Sequence, residues 1–448
     1  MQKNSHMLTF AEDQLFAINV SEDWVKRLAE SLSHKKVILI GESTHGTHEF
    51  YKYRALITKE LIQKYNFNIV AIEADWPDAY QVNCYVKGLQ ELKDDLEALS
   101  GFKRFPSWMW CNYEVLEFVS WLKLHNDSLG SLERKVGFYG LDLYSLYSSI
   151  NAVIKYLLAT DPDAARRAIA RYRCFDHYNK EAQDYGFAVS YGIEKDCKEE
   201  AINQLIELEQ RVYENLQSKE IDKKEAFFSA LQNARTVKSA ETYYRAMFES
   251  PTISWNLRDQ HMFEMLIAII DYYNESHLIP PKTIVWAHNS HIGNAAATEM
   301  THRGELNIGQ LAKEKYHDDA FLLGFTTYTG TVIAARQWGN PAELMQVKQA
   351  LPGSWEDLLH KFTTKKFFLN FDANKQLRDL FANISPQLQR AIGVIYRPEI
   401  ERQSHYSYSE LSLQFDGIIH IDHTSALSPL NAISIEDKEP PETFPTAL

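Results

Sequence analysis

The sequence is poor in cysteine and basic charge, and it lacks a long apolar segment free of charged residues. Its 448 residues include four cysteines with no C-x-x-C pair, which favours a reducing compartment and predicts neither a disulfide framework nor a cysteine zinc site. A net charge of −13 argues against nucleic acid or an anionic membrane as a partner. Because no signal-peptide core or membrane span is recognisable, we expect a cytoplasmic protein.

Two well-known hydrolase signatures are also missing. The chain has no G-x-S-x-G, the pattern that exposes a nucleophilic serine on a strand–turn–helix, so Ser43 is predicted to be a turn residue. It also has no H-E-x-x-H, the helical zinc pattern of many metalloproteases. Any hydrolytic chemistry would therefore depend on histidines and carboxylates in another arrangement.

Short apolar runs alternate with helical segments, which is typical of an α/β protein with a mostly parallel central sheet and helices on both faces. Residues 146–276 carry only helical periodicity and are predicted to form an all-helical side domain inserted after the third strand, between core segments 1–145 and 277–435. The acidic, proline-containing residues 436–448 are predicted to be a loose tail. The predicted strands are Val37–Ile40, Ile69–Glu73, Val136–Gly140, Thr283–Ala287, Phe321–Phe325, Ala391–Tyr396 and Gly417–Ile421.

Ionisable side chains cluster where several predicted strands end. In open parallel sheets, the ligand crevice lies outside the carboxyl ends of the strands. We therefore predict that these side chains meet in one pocket, because such groups are costly to gather unless they act together. The residues that share this placement are Glu42, His45, Glu73, Asp75, His288 and His291.

Three further features bear on this predicted pocket. Arg54 lies on the inward stripe of the helix after the first strand, where a buried guanidinium needs an anionic partner. Asp142 follows the third strand and is predicted to be structural, since an aspartate there is usually a helix cap. Trp108 and Trp110 stand in an aromatic loop that is either a pocket wall or ordinary core.

A metal site is the main competing interpretation of the cluster. Glu42, His45, His288 and His291 are residue types that ligate zinc or manganese. Arg54 on the same face would oppose a divalent cation, so we favour chemistry without a metal or other cofactor.

The segments "GESTHGTHEFYKYR", "IVAIEADW" and "VWAHNSHIG" together resemble the erythromycin esterase family, which includes homologues labelled as succinoglycan biosynthesis proteins. The resemblance implies a parallel α/β core with a helical side domain. It also implies hydrolysis of macrolide lactones, and hence a response to antibiotics, with a histidine that activates water. The family's site residues correspond here to the catalytic His45, its acidic neighbour Glu42, the helix arginine Arg54, the strand-end Glu73 and the later histidines His288 and His291.

The residues and the resemblance together predict a carboxylic ester hydrolase that acts on a small, macrolide-like ester without a covalent serine intermediate. His45 would be the base, and Arg54 would orient a carboxylate or neutralise the oxyanion. His288 or His291 would position water or protonate the leaving alkoxide. The predicted substrate contacts are Trp108, Trp110 and Asp75.

Two other functions stay open at this point. One is a metal-dependent hydrolase of a phospho- or glycan ester. The other is a non-catalytic protein that binds haem or another small molecule on the same core.

Overall fold

The computed structural model describes residues 10–18, 23–178, 182–212 and 220–430. Within these ranges the main sheet has nine strands, and a separate antiparallel pair forms a second sheet. The predicted tail at 436–448 lies outside the described residues. The strands are β1 Phe16–Ala17, β2 Val37–Ile40, β3 Ile69–Asp75, β4 Gly137–Asp142, β5 Thr283–Trp286, β6 Ala320–Ala335, β7 Ala342–Val347, β8 Lys366–Asn370, β9 Gln387–Arg390, β10 Tyr406–Ser409 and β11 Gly417–Thr424.

The centre of the main sheet is parallel, as predicted. Its strands run in the order β11, β6, β2, β5, β3, β4, and each neighbouring pair is parallel. Alternate residues of β2 enter two different cores, with Ile38 and Ile40 on one face and Val37 and Leu39 on the other. Continuous apolar strands of this kind are expected where helices cover both faces of a sheet. The predicted α/β fold class is therefore confirmed.

Antiparallel strands complete the edges of the sheet. β8 pairs with β11, β1 pairs with β8, and β7 folds back on β6. The sequence analysis missed β7 because its residues alternate between buried and exposed rather than forming one apolar run.

The predicted strand Ala391–Tyr396 is wrong. The strand at this place is β9, which ends at Arg390 and pairs with β10. Beyond it the backbone divides its hydrogen bonds between two elements, because the amide of Ile392 donates to Ser43 O and that of Tyr396 donates to Ala335 O. An apolar composition without one continuous partner strand gives only isolated bridges.

The helices cover both faces of the sheet and fill the long connection between β4 and β5. They are α1 Asp23–Leu32, α2 His48–Tyr65, α3 Trp76–Lys87, α4 Asp95–Leu99, α5 Tyr113–Asp127, α6 Leu146–Thr160, α7 Pro162–Tyr172, α8 Ala182–Ser190, α9 Lys198–Glu209, α10 Ile221–Ala246, α11 Pro251–Ser276, α12 Asn289–Ile292, α13 Ile308–Tyr316, α14 Trp355–His360, α15 Lys375–Ala382, α16 Glu401–Ser404 and α17 Leu411–Gln414.

The segment between β4 and β5 contains helices throughout its described residues. Helices α6 to α10 share a hydrophobic core of their own, which includes Val153 and Val237. Helix α11 differs, because Met262 and Leu266 pack into the core under the central sheet. The long helix therefore belongs to the sheet layer as much as to the inserted helices, and the domain boundaries at 146 and 276 stay a prediction.

The cysteines differ from the prediction. Cys174 and Cys197 form a disulfide among the inserted helices, whereas Cys84 and Cys111 are free. The expectation of no disulfide came from the absence of a local cysteine pair, and 23 residues separate these two. Within the described ranges, no helix is both long and apolar enough to cross a membrane.

Candidate active site

The site forms where β2, β3, β4 and β5 end at one edge of the sheet. A β-bulge in β3 sets the position of Glu73. From Ile72 to Asp75 the chain advances by three residues, whereas the paired segment of β4 advances by two. Gly140 of β4 makes the bulge possible, since a Cβ there would stand 2.4 Å from Ala74 O. The loop after β2 brings Glu42 and His45 to the same edge.

His45 is held by a carboxylate that is itself held by an arginine. Its Nδ1–H donates to Glu42 Oε1 at 2.9 Å, and the other oxygen, Oε2, forms an ion pair with Arg54 Nη2 at 3.0 Å. Glu42 and Arg54 are fully buried, and His45 is 2 % exposed. The carboxylate fixes the ring so that the lone pair of a neutral imidazole lies on Nε2.

Arg54 lies in an aromatic box beneath the site. Its guanidinium carbon is 4.3 Å from the ring centre of Tyr51 and 5.1 Å from that of Trp286. These faces supply cation–π attraction where water is absent. Arg54 does not line the pocket, so of its two predicted roles the geometry fits the orientation of a carboxylate and not contact with an oxyanion.

Glu73 joins the end of β3 to three residues from later in the chain. Its Oε1 accepts from Arg258 Nη2 at 2.7 Å and lies 3.3 Å from His291 Nε2, while Oε2 accepts from the backbone N–H of His288 at 2.8 Å. Burial raises the pKa of Glu73, but the charges of His291 and Arg258 lower it by more than burial raises it. The net shift of this pKa is therefore strongly downward. Glu73 is therefore a fixed negative charge at neutral pH.

Arg258 of α11 is the main residue that sequence reasoning missed. Its Nε and Nη2 donate to the two oxygens of Asp142 at 3.0 and 2.7 Å, and Nη2 also reaches Glu73. Asp142 is thus the partner of a buried arginine, which corrects the helix-cap interpretation given above. The available signal was the adjacent charged pair Arg258–Asp259 in a helix whose periodicity places Met262 and Leu266 in the core.

His291 and His288 lie behind the pocket wall. The Nδ1–H of His291 donates to Asp259, with Oδ2 at 2.9 Å, and its ring stacks on Trp255 with 4.7 Å between ring centres. Burial lowers the pKa of His291, but Asp259 and Glu73 raise it more, so the net shift is upward.

His288 has the opposite tendency. Its ring centre is 4.8 Å from that of His45, and its Nδ1 accepts from the backbone N–H of Ser290 at 3.2 Å. Burial, followed by the neighbouring His45, lowers its pKa well below the usual value. His288 is therefore a neutral imidazole that packs beside the base.

The pocket itself is lined by residues from several elements. His45, Glu73, Asp75 and Trp110 are predicted site residues that line it. Trp108 does not line it; it is buried in the core, so its position does not support the predicted substrate contact. Other residues that line it include Asp78, Phe102, Arg104, Asp142, Tyr144, Arg258, Trp338 and Val394.

Comparison with known proteins identifies a family for this fold. The family model for erythromycin esterase matches residues 62–424, which is most of the chain. The chain belongs to the erythromycin esterase family. The match begins after Glu42, His45 and Arg54, so these three assignments depend on the local motif and on the geometry.

Individual relatives of this erythromycin esterase family chain are distant, but the similarity covers at least 90 % of each chain. It is 23 % identical to "Putative hydrolase YbfO" of Bacillus subtilis (strain 168), covering 93 % of this chain and 90 % of that protein. It is 22 % identical to erythromycin esterase type II of Escherichia coli, covering 90 % and 93 % of the two chains. Family membership supports a hydrolase.

Solved structures share the fold. A crystal structure of a Bacillus cereus protein superposes with a TM-score of 0.77 at 21 % identity, covering 96 % of this chain and 99 % of that one. An erythromycin esterase mutant in its open conformation gives a TM-score of 0.63 at 16 % identity, covering 92 % and 97 %.

The residues weighed as metal ligands do not form one site in this family member. Glu42 and His45 pair with each other, whereas His291 faces Asp259 and Glu73. In the described part of the chain, no group of three His, Cys, Asp or Glu side chains is arranged to hold a metal ion. The guanidinium groups of Arg54 and Arg258 occupy the places beside the carboxylates.

Proposed function

We propose that the protein is a carboxylic ester hydrolase in which His45 activates water. The observation that carries this proposal is the position of His45, which lines the pocket while its Nδ1–H is held by buried Glu42. No side chain among the described residues forms a hydrogen bond with His45 Nε2. In the proposal, this nitrogen accepts the proton of a water molecule held in the pocket that His45 lines.

In this mechanism His45 Nε2 takes a proton from water as the oxygen attacks the ester carbonyl. The tetrahedral oxyanion forms beside Arg258, whose guanidinium is fixed in advance by Asp142 and Glu73. The protonated His45 then returns its proton to the leaving alkoxide. Glu42 stabilises the imidazolium between these steps, and Arg54 pairs with the other oxygen of that carboxylate.

A serine nucleophile has little support from the geometry. Ser43 is buried and does not line the pocket, and Ser107, which does line it, has no hydrogen bond to a histidine in the described residues. Without an adjacent base, a serine hydroxyl is a weak nucleophile at neutral pH. We therefore favour direct attack by water.

Macrolide lactones are the first substrates to test, because one relative is named as an erythromycin esterase. The experiment is a hydrolysis screen of macrolides and aryl esters with wild type, His45→Asn and His48→Asn, each with and without a chelator. His48 is a matched control from the same motif, since its Nδ1 pairs with Glu114 and it does not line the pocket.

We expect His45→Asn to lower kcat by about 10²–10⁴-fold with an unchanged thermal melt, and His48→Asn to keep most of the activity. Full activity of His45→Asn would refute the assignment of the base. Loss of activity on chelation that one divalent ion restores would instead favour the metal-dependent alternative.

A further inference from the structure

A second set of charges lies in the pocket beside the proposed catalytic groups. Asp75 ends β3, and Asp78 lies in the first turn of α3 three residues later. Both line the pocket, next to Arg104 and Tyr144. The mechanism proposed above uses neither carboxylate.

The charges that line the pocket do not balance. Among the described lining residues there are four carboxylates and two guanidinium groups, so the wall carries an excess of two negative charges when all are ionised. Arg258 is already committed to two of the carboxylates. The remaining cation, Arg104, pairs with Asp75 through Nε at 2.9 Å. No ion pair with Asp78 occurs in the described residues.

Asp75 has an unused hydrogen-bond acceptor. Its side chain is 5 % exposed, and Oδ2 is taken by Arg104, whereas Oδ1 accepts no hydrogen bond from the described residues. The backbone N–H of Tyr144 lies near the carboxyl group and lowers its pKa, but it does not close a bond to Oδ1. A buried carboxylate oxygen without a donor is costly, so its retention at a pocket wall points to a donor supplied by a ligand.

The pKa shifts of the two carboxyl groups agree with a missing positive partner. Burial, followed by repulsion from Asp75, raises the pKa of Asp78 to about 7. Burial raises the pKa of Asp75 against the opposing effect of Arg104. Both groups thus lack part of the positive charge that would stabilise their ionised forms.

We propose that Asp75 and Asp78 form a subsite for a protonated amine, so that the substrate is an ester that carries an ammonium group near its scissile bond. The ammonium N–H would donate to Asp75 Oδ1, and its charge would neutralise Asp78. The ring of Tyr144, which already stacks against Arg104 with the guanidinium carbon 4.7 Å from the ring centre, borders the same space. The link to the substrate rests on the proposed function, whereas the binding of an amine does not.

Binding is tested near neutral pH and low ionic strength with benzylammonium and benzyl alcohol, which have similar size and differ in charge. We expect the ammonium ion to bind the full chain at least about tenfold more tightly than the alcohol, and to keep this preference in His45→Asn. Asp78→Asn should remove the preference without leaving a cation unpaired, and Asp75→Asn should weaken it. Asp318→Asn is the matched control, because it removes the same charge from an exposed turn before β6.

Equal affinities of the two probes, or a preference that both Asp78→Asn and Asp75→Asn retain, would overturn the subsite. At the substrate level, the 2-(dimethylamino)ethyl ester of a simple acid should have about tenfold higher kcat/KM than its neutral isostere, the 3-methylbutyl ester, and Asp78→Asn should erase the difference. Equal kcat/KM values would overturn the substrate class. Amine binding without hydrolysis of any ester would refute the proposed function while leaving the subsite intact.

Discussion

Arg54 and Arg258 are both buried arginines at the same edge of the sheet, yet they have different surroundings. Arg54 is enclosed by aromatic rings and meets one carboxylate, at 3.0 Å. Arg258 lies between Glu73 and Asp142 and borders the pocket. In the proposed mechanism, the same functional group thus supports the base in one case and presents a charge to the ligand in the other. The two arginines differ in that Arg258 lines the pocket and Arg54 does not.

The largest expected effect is the loss of stability in Arg54→Met. Removal of the guanidinium leaves the Glu42 carboxylate buried without a cation, which costs about 3–5 kcal/mol of unfolding free energy. Denaturant titration measures this loss. Arg54→Lys, which keeps the charge, should lose less, and equal stability of Arg54→Met and wild type would show that the Arg54–Glu42 ion pair does not stabilise the fold.

Arg258→Ala should act mainly on the reaction. Because a fixed positive charge beside the oxyanion is worth about 10²–10³-fold in kcat, we expect a loss of that size in the folded fraction. Added guanidinium ion should restore part of the activity, since the vacated place opens to the pocket. The same ion should not rescue Arg54→Ala, whose place is sealed. Rescue of both variants, or of neither, would remove the distinction between the two arginines.

Asp78 lines the same pocket as Arg258, and its pKa predicts how the stability of the fold depends on pH. Because its pKa is about 7 in the folded protein and near 3.8 when unfolded, ionisation destabilises the fold as pH rises through this window. Asp78→Asn should match wild type below about pH 4 and become more stable by up to roughly 4 kcal/mol above pH 7. Thermal melts at several pH values measure the difference. A constant difference across the range would contradict the pKa shift.

The smallest expected effect separates the two tryptophans. Trp110 lines the pocket and donates from Nε1 to Glu73 O at 3.1 Å, so Trp110→Phe should raise KM a few-fold through loss of one hydrogen bond worth about 1 kcal/mol. Trp108→Phe should change the thermal melt and leave KM unaltered. Steady-state kinetics on one ester substrate would compare the two, and a KM effect of Trp108→Phe alone would reverse their assignment.

From the sequence, side chains at several strand ends and on the helix after β2 were predicted to meet at one edge of the sheet, and one part of that group is local in the chain. Glu42, His45 and Arg54 lie on one strand end and the following helix, so their spacing already placed them on one side of the sheet. Arg258 could not be placed in the same way, because its partners come from β3 and β4, more than a hundred residues away. Its helix has apolar periodicity that by itself predicts only packing.

The strand predictions succeeded and failed for a related reason. Central strands buried on both faces show as continuous apolar runs, whereas edge strands such as β7 do not. The segment Ala391–Tyr396 has the composition of a central strand but shares its backbone bonds between Ser43 and Ala335. The amino-acid composition of a segment indicates whether the segment is buried, but it does not indicate which strand the segment pairs with.

The sealed position of Arg54 has a consequence for how such an enzyme can diversify. The proposed base and its support stand at the end of β2 and on the following helix, while much of the wall comes from connecting loops that carry Phe102, Trp338 and Val394. Loops accept sequence change more readily than buried strands do. New specificities can therefore arise by exchange of wall residues, with the proton-transfer machinery inherited unaltered.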